Sequence, residues 1–171
     1  MKKILLAICL MVGAAAGMSA QKYALVDMEY ILRNVPAYEM ANEQLNQVSQ
    51  RWEKEVNEAA REAETLYKNY QSDMVFLTDD MKKKREEEIV TKEKAATDLK
   101  YKYFGPEGEL FKKRQSLMKP IQEDIYNAVK AVAEEKGYVT IFDRASSQSI
   151  VYAKPSIDVS NEVLAKLGFA K

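Results

Sequence analysis

The chain has 171 residues, with 26 Lys and Arg against 26 Asp and Glu, so its formal net charge is zero. That balance weighs against a general nucleic-acid binder, which carries a positive excess. Charged residues make up 30% while Gly is only 6 and Pro only 4, a combination that favours long solvated helices. His is absent and the only Cys is Cys9. The commonest general base, metal ligand and activated thiol are therefore missing, and neither an enzymatic role, a cofactor nor a metal site is expected.

Lys2 and Lys3 precede an apolar run from Ile4 to Val12, followed by the small-residue stretch Gly13 to Ala20. Positive, then apolar, then small is the pattern of a secretory leader, and the run is short for a membrane span of about 20 residues. A leader over 1–20 is expected, cut after Ala20 or Ala16. Cleavage after Ala20 removes Lys2, Lys3 and Cys9, leaving a net charge of −2 and no thiol. Without disulfides, packing or oligomerisation must hold the exported chain together.

Lys22 to Asp27 is short, apolar and β-favouring, and predicts a strand. Asp27 suits the cap of one or two helical turns over Met28 to Val35, and Pro36 the first turn of a longer helix. From Tyr38 an apolar seam runs through Ala41, Leu45, Val48, Trp52, Val56, Ala59, Ala63, Leu66, Tyr70, Met74 and Leu77. Its eleven steps cover 39 residues, a mean of 3.55, between the coiled-coil repeat of about 3.5 and the straight-helix value of about 3.6. Thr78 or Asp79 can cap a returning helix, which places a reversal there. Lys82, Lys83 and Lys84 stand four residues before Glu86, Glu87 and Glu88, predicting three pairs worth about 0.2–0.5 kcal/mol each. The returning seam is weaker, through Met81, Ile89, Ala96, Leu99 and Tyr103.

Gly105-Pro106-Glu107-Gly108 interrupts the return. Helical spacing resumes from Leu110 to Val132, with Pro120 expected to kink it or to start a new helix, and Gly137 to stop it. Tyr138 to Asp143 and Ser149 to Ala153 read as two strands of a hairpin. Ser160 suits the cap of a last helix through Leu167. Strands at both ends of the chain flank one long helical excursion. The expected organisation is a leader over 1–20, a β-containing body from 21–35 and 120–171, and a helical hairpin arm over 36–119. So few strands make a marginal domain alone, so association through Tyr23, Leu25, Val26, Val139, Ile141, Phe142, Ile150 and Tyr152 is expected.

This arrangement resembles the Skp family of periplasmic holdase chaperones, also called the OmpH family. The resemblance rests on the leader, on Tyr23-Ala-Leu-Val-Asp27 leading into Tyr30-Ile-Leu, on the long hairpin, on the stretch Ile125 to Asp143, and on Asp158-Val-Ser-Asn-Glu-Val-Leu. It covers essentially the whole exported chain. It implies a mostly α fold in which a long coiled-coil hairpin projects from a β-rich trimerisation body. It further implies a homotrimer in the periplasm whose arms enclose unfolded outer-membrane proteins without ATP; no phosphate loop of the GxxxxGK[ST] kind is present. The best-known members are strongly basic. This chain is near neutral, which weighs against a cavity that captures acidic clients by positive charge.

Met74, Val75, Phe76 and Met81 lie at the expected arm tip and are candidate client contacts, because Met adapts to varied apolar surfaces. The simpler alternative is a small core closing the hairpin. Lys82, Lys83 and Lys84 could attract acidic segments or the headgroups of a membrane surface, or merely form a solvated face. Asp27 and Asp143 each end a predicted strand and could meet; caps and turns explain them more simply than acid–base chemistry. A structural spacer of the cell envelope is the alternative to a chaperone, and an unbroken seam without an exposed apolar tip would favour it.

Overall fold

The computed structural model describes residues 21–147 and 149–169; the expected leader lies outside them. The order of elements is β1 (Lys22–Val26), α1 (Met28–Arg33), α2 (Pro36–Asp73), a 3-10 turn (Met74–Phe76), α3 (Asp79–Phe104), α4 (Glu109–Lys136), β2 (Tyr138–Asp143), a second 3-10 turn (Pro155–Ile157) and α5 (Ser160–Lys166). Residues 36–123 form one compact unit; the described residues among 21–35 and 124–169 form the other.

The first unit is a helical hairpin. Pro36 opens α2, where its missing N–H costs nothing and its fixed φ suits the helix. Its 38 residues make a rod about 57 Å long at about 1.5 Å per residue. Ala41, Leu45 and Ala63 are buried, and the remaining seam positions up to Tyr70 are half-buried. Ala59 rather than Ala60 takes the seam position. Thr78 caps α3, its side chain accepting from Met81 N at 3.4 Å. Across the hairpin Glu62 pairs with Lys92 at 2.7 Å, Tyr70 Oη donates to Glu86, and Tyr103 Oη donates to Glu55 at 2.6 Å. The midpoints of these pairs fall at positions 77–79, as two antiparallel helices folded back at Leu77-Thr78-Asp79 require.

One expectation fails in this unit, and one alternative of another is ruled out. None of the three Lys–Glu pairs over 82–88 forms among the described residues. Lys82 instead meets Asp79 at 3.7 Å and Arg85 meets Glu88 at 3.9 Å, while Glu86 is engaged by Tyr70. Pro120 does not start a new helix, for α4 is continuous through it. Pro120 and Ser116, the residue whose carbonyl loses its donor, are both exposed, so solvent reaches the freed acceptor.

Gly105 to Gly108 turns tightly between α3 and α4. A Cβ at Gly108 would stand 2.7 Å from the Tyr103 carbonyl oxygen and 2.9 Å from both Gly105 N and the Lys102 carbonyl oxygen. Only glycine allows backbone to approach that closely.

The second unit holds a two-stranded sheet in which β1 and β2 run parallel, Tyr23 opposite Thr140 through Val26 opposite Asp143. The other edge of β1 is covered too: Leu25 bridges Asp158, and Val159 N donates to the Leu25 carbonyl at 2.8 Å. Being flanked on both edges and packed on both faces, β1 buries Ala24, Leu25 and Val26 in succession. Ile31, Ile125, Val132, Val159, Val163 and Leu164 are fully buried in the same unit, each contributing about 1.5–3 kcal/mol by leaving water. Gly137, at φ +70°, ends α4 in the left-handed conformation that glycine tolerates best.

The expected hairpin after Asp143 is not formed. Residues 149–153 are not a strand, and β2 pairs with β1 instead. Val151 is 97% exposed and Tyr152 80%. Strand preference reflects packing against neighbours on a sheet, and a single copy of the chain offers this segment none. The cap position expected of Ser160 is taken by Val159, and Asp158 Oδ1 accepts from Ser160 N at 2.9 Å and from Ser160 Oγ at 2.6 Å. Ser160 is itself buried in the first turn of α5, and its Oγ accepts from Asp27 N at 2.8 Å.

Candidate functional site

The hairpin reversal is built by local chemistry. Helix α2 tightens into the 3-10 turn Met74–Phe76, closed by Leu77 N donating to the Met74 carbonyl at 3.5 Å, and the Thr78 cap starts α3. A tightened turn cannot continue the seam, so its apolar side chains leave it. Val75 is 81% exposed and Phe76 85%, and Met74 and Met81 are each about half exposed. The tip core expected as the simpler reading is therefore absent among these residues, and Met81 stands outside the returning seam. Lys82 is tied to Asp79, while Lys83 and Lys84 are exposed beside it. Asp73, Asp79 and Asp80 flank the same turn, so the tip is apolar with mixed charge around it.

The residues expected to associate fall into two groups. Leu25 and Val26 lie inside the core of their own unit, and Ile141 and Ile150 are half-buried. Tyr23, Val139, Phe142 and Tyr152 are exposed. Tyr23 and Phe142 rings touch, centroids 6.3 Å apart, so the sheet carries an outward aromatic pair. Val139 is the residue that the strand register skips.

Asp27 and Asp143 both stand at the strand ends, where Val26 pairs with Asp143, and each carboxylate has its own partners. Asp27 Oδ1 accepts from Tyr30 N at 2.8 Å and its Oδ2 from Arg144 at 3.0 Å. Arg144 also reaches Asp158 at 3.3 Å. Asp143 Oδ1 accepts from Met28 N at 3.1 Å and Ala145 N at 3.0 Å. Partial burial pushes the Asp143 carboxyl upward, but hydrogen bonds from Ser146, Met28 and Ala145 outweigh it and hold its pKa below 3.8. Asp27 caps a helix, Asp143 closes a turn, and Asp27 and Asp158 share the Arg144 guanidinium. Among the described residues no group of three or more His, Cys, Asp or Glu is placed to hold a metal ion, and no helix is long and apolar enough to cross a membrane.

Sequence reasoning missed Arg144, and it singled out Asp158 and Ser160 without their long-range partners: Arg144 bridges Asp27 and Asp158, and Ser160 Oγ accepts from Asp27 N. No periodicity marks such contacts.

The described residues thus comprise a long helical hairpin and a small unit holding a parallel two-stranded sheet. The family model described as "Outer membrane protein (OmpH-like)" matches residues 22–167, and the chain belongs to that family. The resemblance read from the chain ends is thus borne out. A crystal structure assigned as an OmpH-like outer membrane chaperone, from Caulobacter crescentus CB15, superposes with a TM-score of 0.71. The match covers 88% of this chain and 86% of that one at 12% sequence identity, so the likeness is one of fold. No curated protein matches the chain.

Proposed function

We propose that the protein is an ATP-independent holdase of the periplasm, delivered there by removal of residues 1–20, that binds unfolded outer-membrane proteins among its helical hairpins. The observation that carries this reading is the exposed apolar tip, Val75 and Phe76 between Met74 and Met81. A spacer gains nothing from such groups in water, where each exposed apolar side chain forgoes the free energy of burial. A client-binding surface needs them. Weak apolar contact at several tips slows aggregation while leaving release possible. The body associates as a trimer through its outward aromatic pair, Tyr23 and Phe142, and through Val139, Val151 and Tyr152. Several hairpins then share one client and keep it from meeting another.

The test is dilution of a urea-unfolded outer-membrane β-barrel protein into buffer with the chain lacking residues 1–20, without nucleotide, followed by light scattering and native mass. Near-stoichiometric suppression of scattering, with a complex holding one client per oligomer, supports the reading. Unchanged scattering in the presence of well-folded chain refutes it.

A further inference from the structure

Two methionines bracket the exposed tip, and the same turn fixes both. The Met74 carbonyl closes the 3-10 turn, and Met81 N donates to the Thr78 cap. Their side chains are 44% and 48% exposed. The chain has no His, and Cys9 lies within residues 1–20, so the exported chain presents no thiol or imidazole to compete for an oxidant. Trp52 is half-buried with its face covered by Tyr103. Met28 and Met118 are half-buried, and the other exposed methionine, Met40, lies far from the tip, in the second turn of α2.

We propose that Met74 and Met81 form an oxidation site at which hypochlorous acid converts both thioethers to sulfoxides, switching off client capture by the tip until they are reduced. The proposal rests on the client-binding reading of the tip. In the net reaction each Sδ gains one oxygen and loses two electrons, the chlorine of the acid is reduced to chloride, and a proton is released. A methionine sulfoxide reductase reverses the step. Two electrons from a dithiol take the oxygen off as water and leave a disulfide on the reductant. The sulfoxide adds a strong acceptor between Val75-Phe76 and the cap. Covering it with an apolar client segment strips its water and offers no donor in return. Both side chains are outside the hairpin seam, so the helices survive the change.

The experiment treats the exported chain with about one equivalent of hypochlorous acid per exposed methionine. It maps sulfoxides by peptide mass spectrometry, records circular dichroism, and titrates an unfolded outer-membrane β-barrel protein before treatment, after it, and after incubation with methionine sulfoxide reductase. We expect Met74 and Met81 to be oxidised ahead of Met28 and Met118, with unchanged helicity. Affinity should fall about fivefold or more and return on reduction. Met74→Leu with Met81→Leu should hold its own untreated affinity through the treatment; Met40→Leu should protect nothing. Oxidation of both tip methionines without loss of affinity overturns the proposal alone. So does equal loss in the double Leu variant, or loss that accompanies melting of the helices. A chain that fails to bind the client even untreated overturns the reading of the tip on which the proposal stands.

Discussion

Trp52 and Tyr103 lie face to face across the hairpin, ring centroids 4.7 Å apart and planes within 6°, and the Tyr103 hydroxyl donates to Glu55 at 2.6 Å. One residue of α3 thus grips two of α2, one turn apart on the same face, and the stack fixes the register of the pair. Trp52→Ala should destabilise the hairpin by about 2 kcal/mol, the half-buried fraction of a core aromatic deletion, in urea denaturation followed by circular dichroism. The hydrogen bond to Glu55, followed by desolvation and the carboxylate's charge, raises the Tyr103 pKa above 10.0. The folded state therefore holds the phenolic proton more tightly than the unfolded one. The resulting stability is fully present below about pH 10 and is lost as pH rises through the folded value. Tyr103→Phe should remove that alkaline loss while changing stability at neutral pH less than Trp52→Ala does.

The Asp143 carboxyl works in the opposite direction. Its pKa is held below 3.8, so its contribution is present above the unfolded value and lost as pH falls through the folded one. Thermal melting between pH 7 and pH 2 should show the α/β unit weakening below about pH 4. Asp143→Asn should melt lower at neutral pH and show a shallower acid decline. An Asn variant with the wild-type acid decline would place that decline on other carboxylates.

Gly108→Ala should destabilise the hairpin unit by about 1–3 kcal/mol, because the added methyl meets three backbone atoms that cannot swing aside. Gly137→Ala is the comparison. There the new methyl meets nothing within 4 Å, and only the strain of φ +70° acts, about 1–2 kcal/mol. Equal and negligible effects at both sites would show that the turn relaxes.

What the residues made legible was local. Caps at Asp27 and Thr78, the opening Pro36, the stop at Gly137 and the seam from Tyr38 to Tyr70 each follow from chemistry within four residues. That strands from the two chain ends share one body was legible; that β1 pairs directly with β2 was not, because alternation marks a strand and says nothing of its partner more than a hundred residues away. For the same reason residues 149–153 looked like a strand although a single copy gives them no sheet to join. At the tip, composition showed apolar residues at a reversal. Whether Val75 and Phe76 close a core or face water depends on how a 3-10 turn re-aims them, which spacing alone does not specify.

If the proposed association through the aromatic pair holds, replacing Tyr23 and Phe142 together by Ser should leave a folded monomer, since both rings are exposed within one copy. Sedimentation gives the mass and circular dichroism the fold. Val26→Asp differs: Val26 is buried in its own protomer, so a charge there should melt the α/β unit itself. An unchanged oligomer in the Tyr23/Phe142 variant would move the association surface elsewhere.

The most direct test of client capture is a titration of unfolded outer-membrane β-barrel protein into two variants at low and physiological salt. One carries Val75→Ser, Phe76→Ser and Met81→Ser; the other carries Lys82→Gln, Lys83→Gln and Lys84→Gln. Charges of both signs surround the tip, and exposed charges more than about 8 Å apart are screened at physiological salt. The apolar variant should lose about tenfold or more in affinity, the Lys variant less, and salt should change wild-type affinity little. A larger loss in the Lys variant, or a drop of about tenfold on raising salt alone, would contradict apolar capture at the tip.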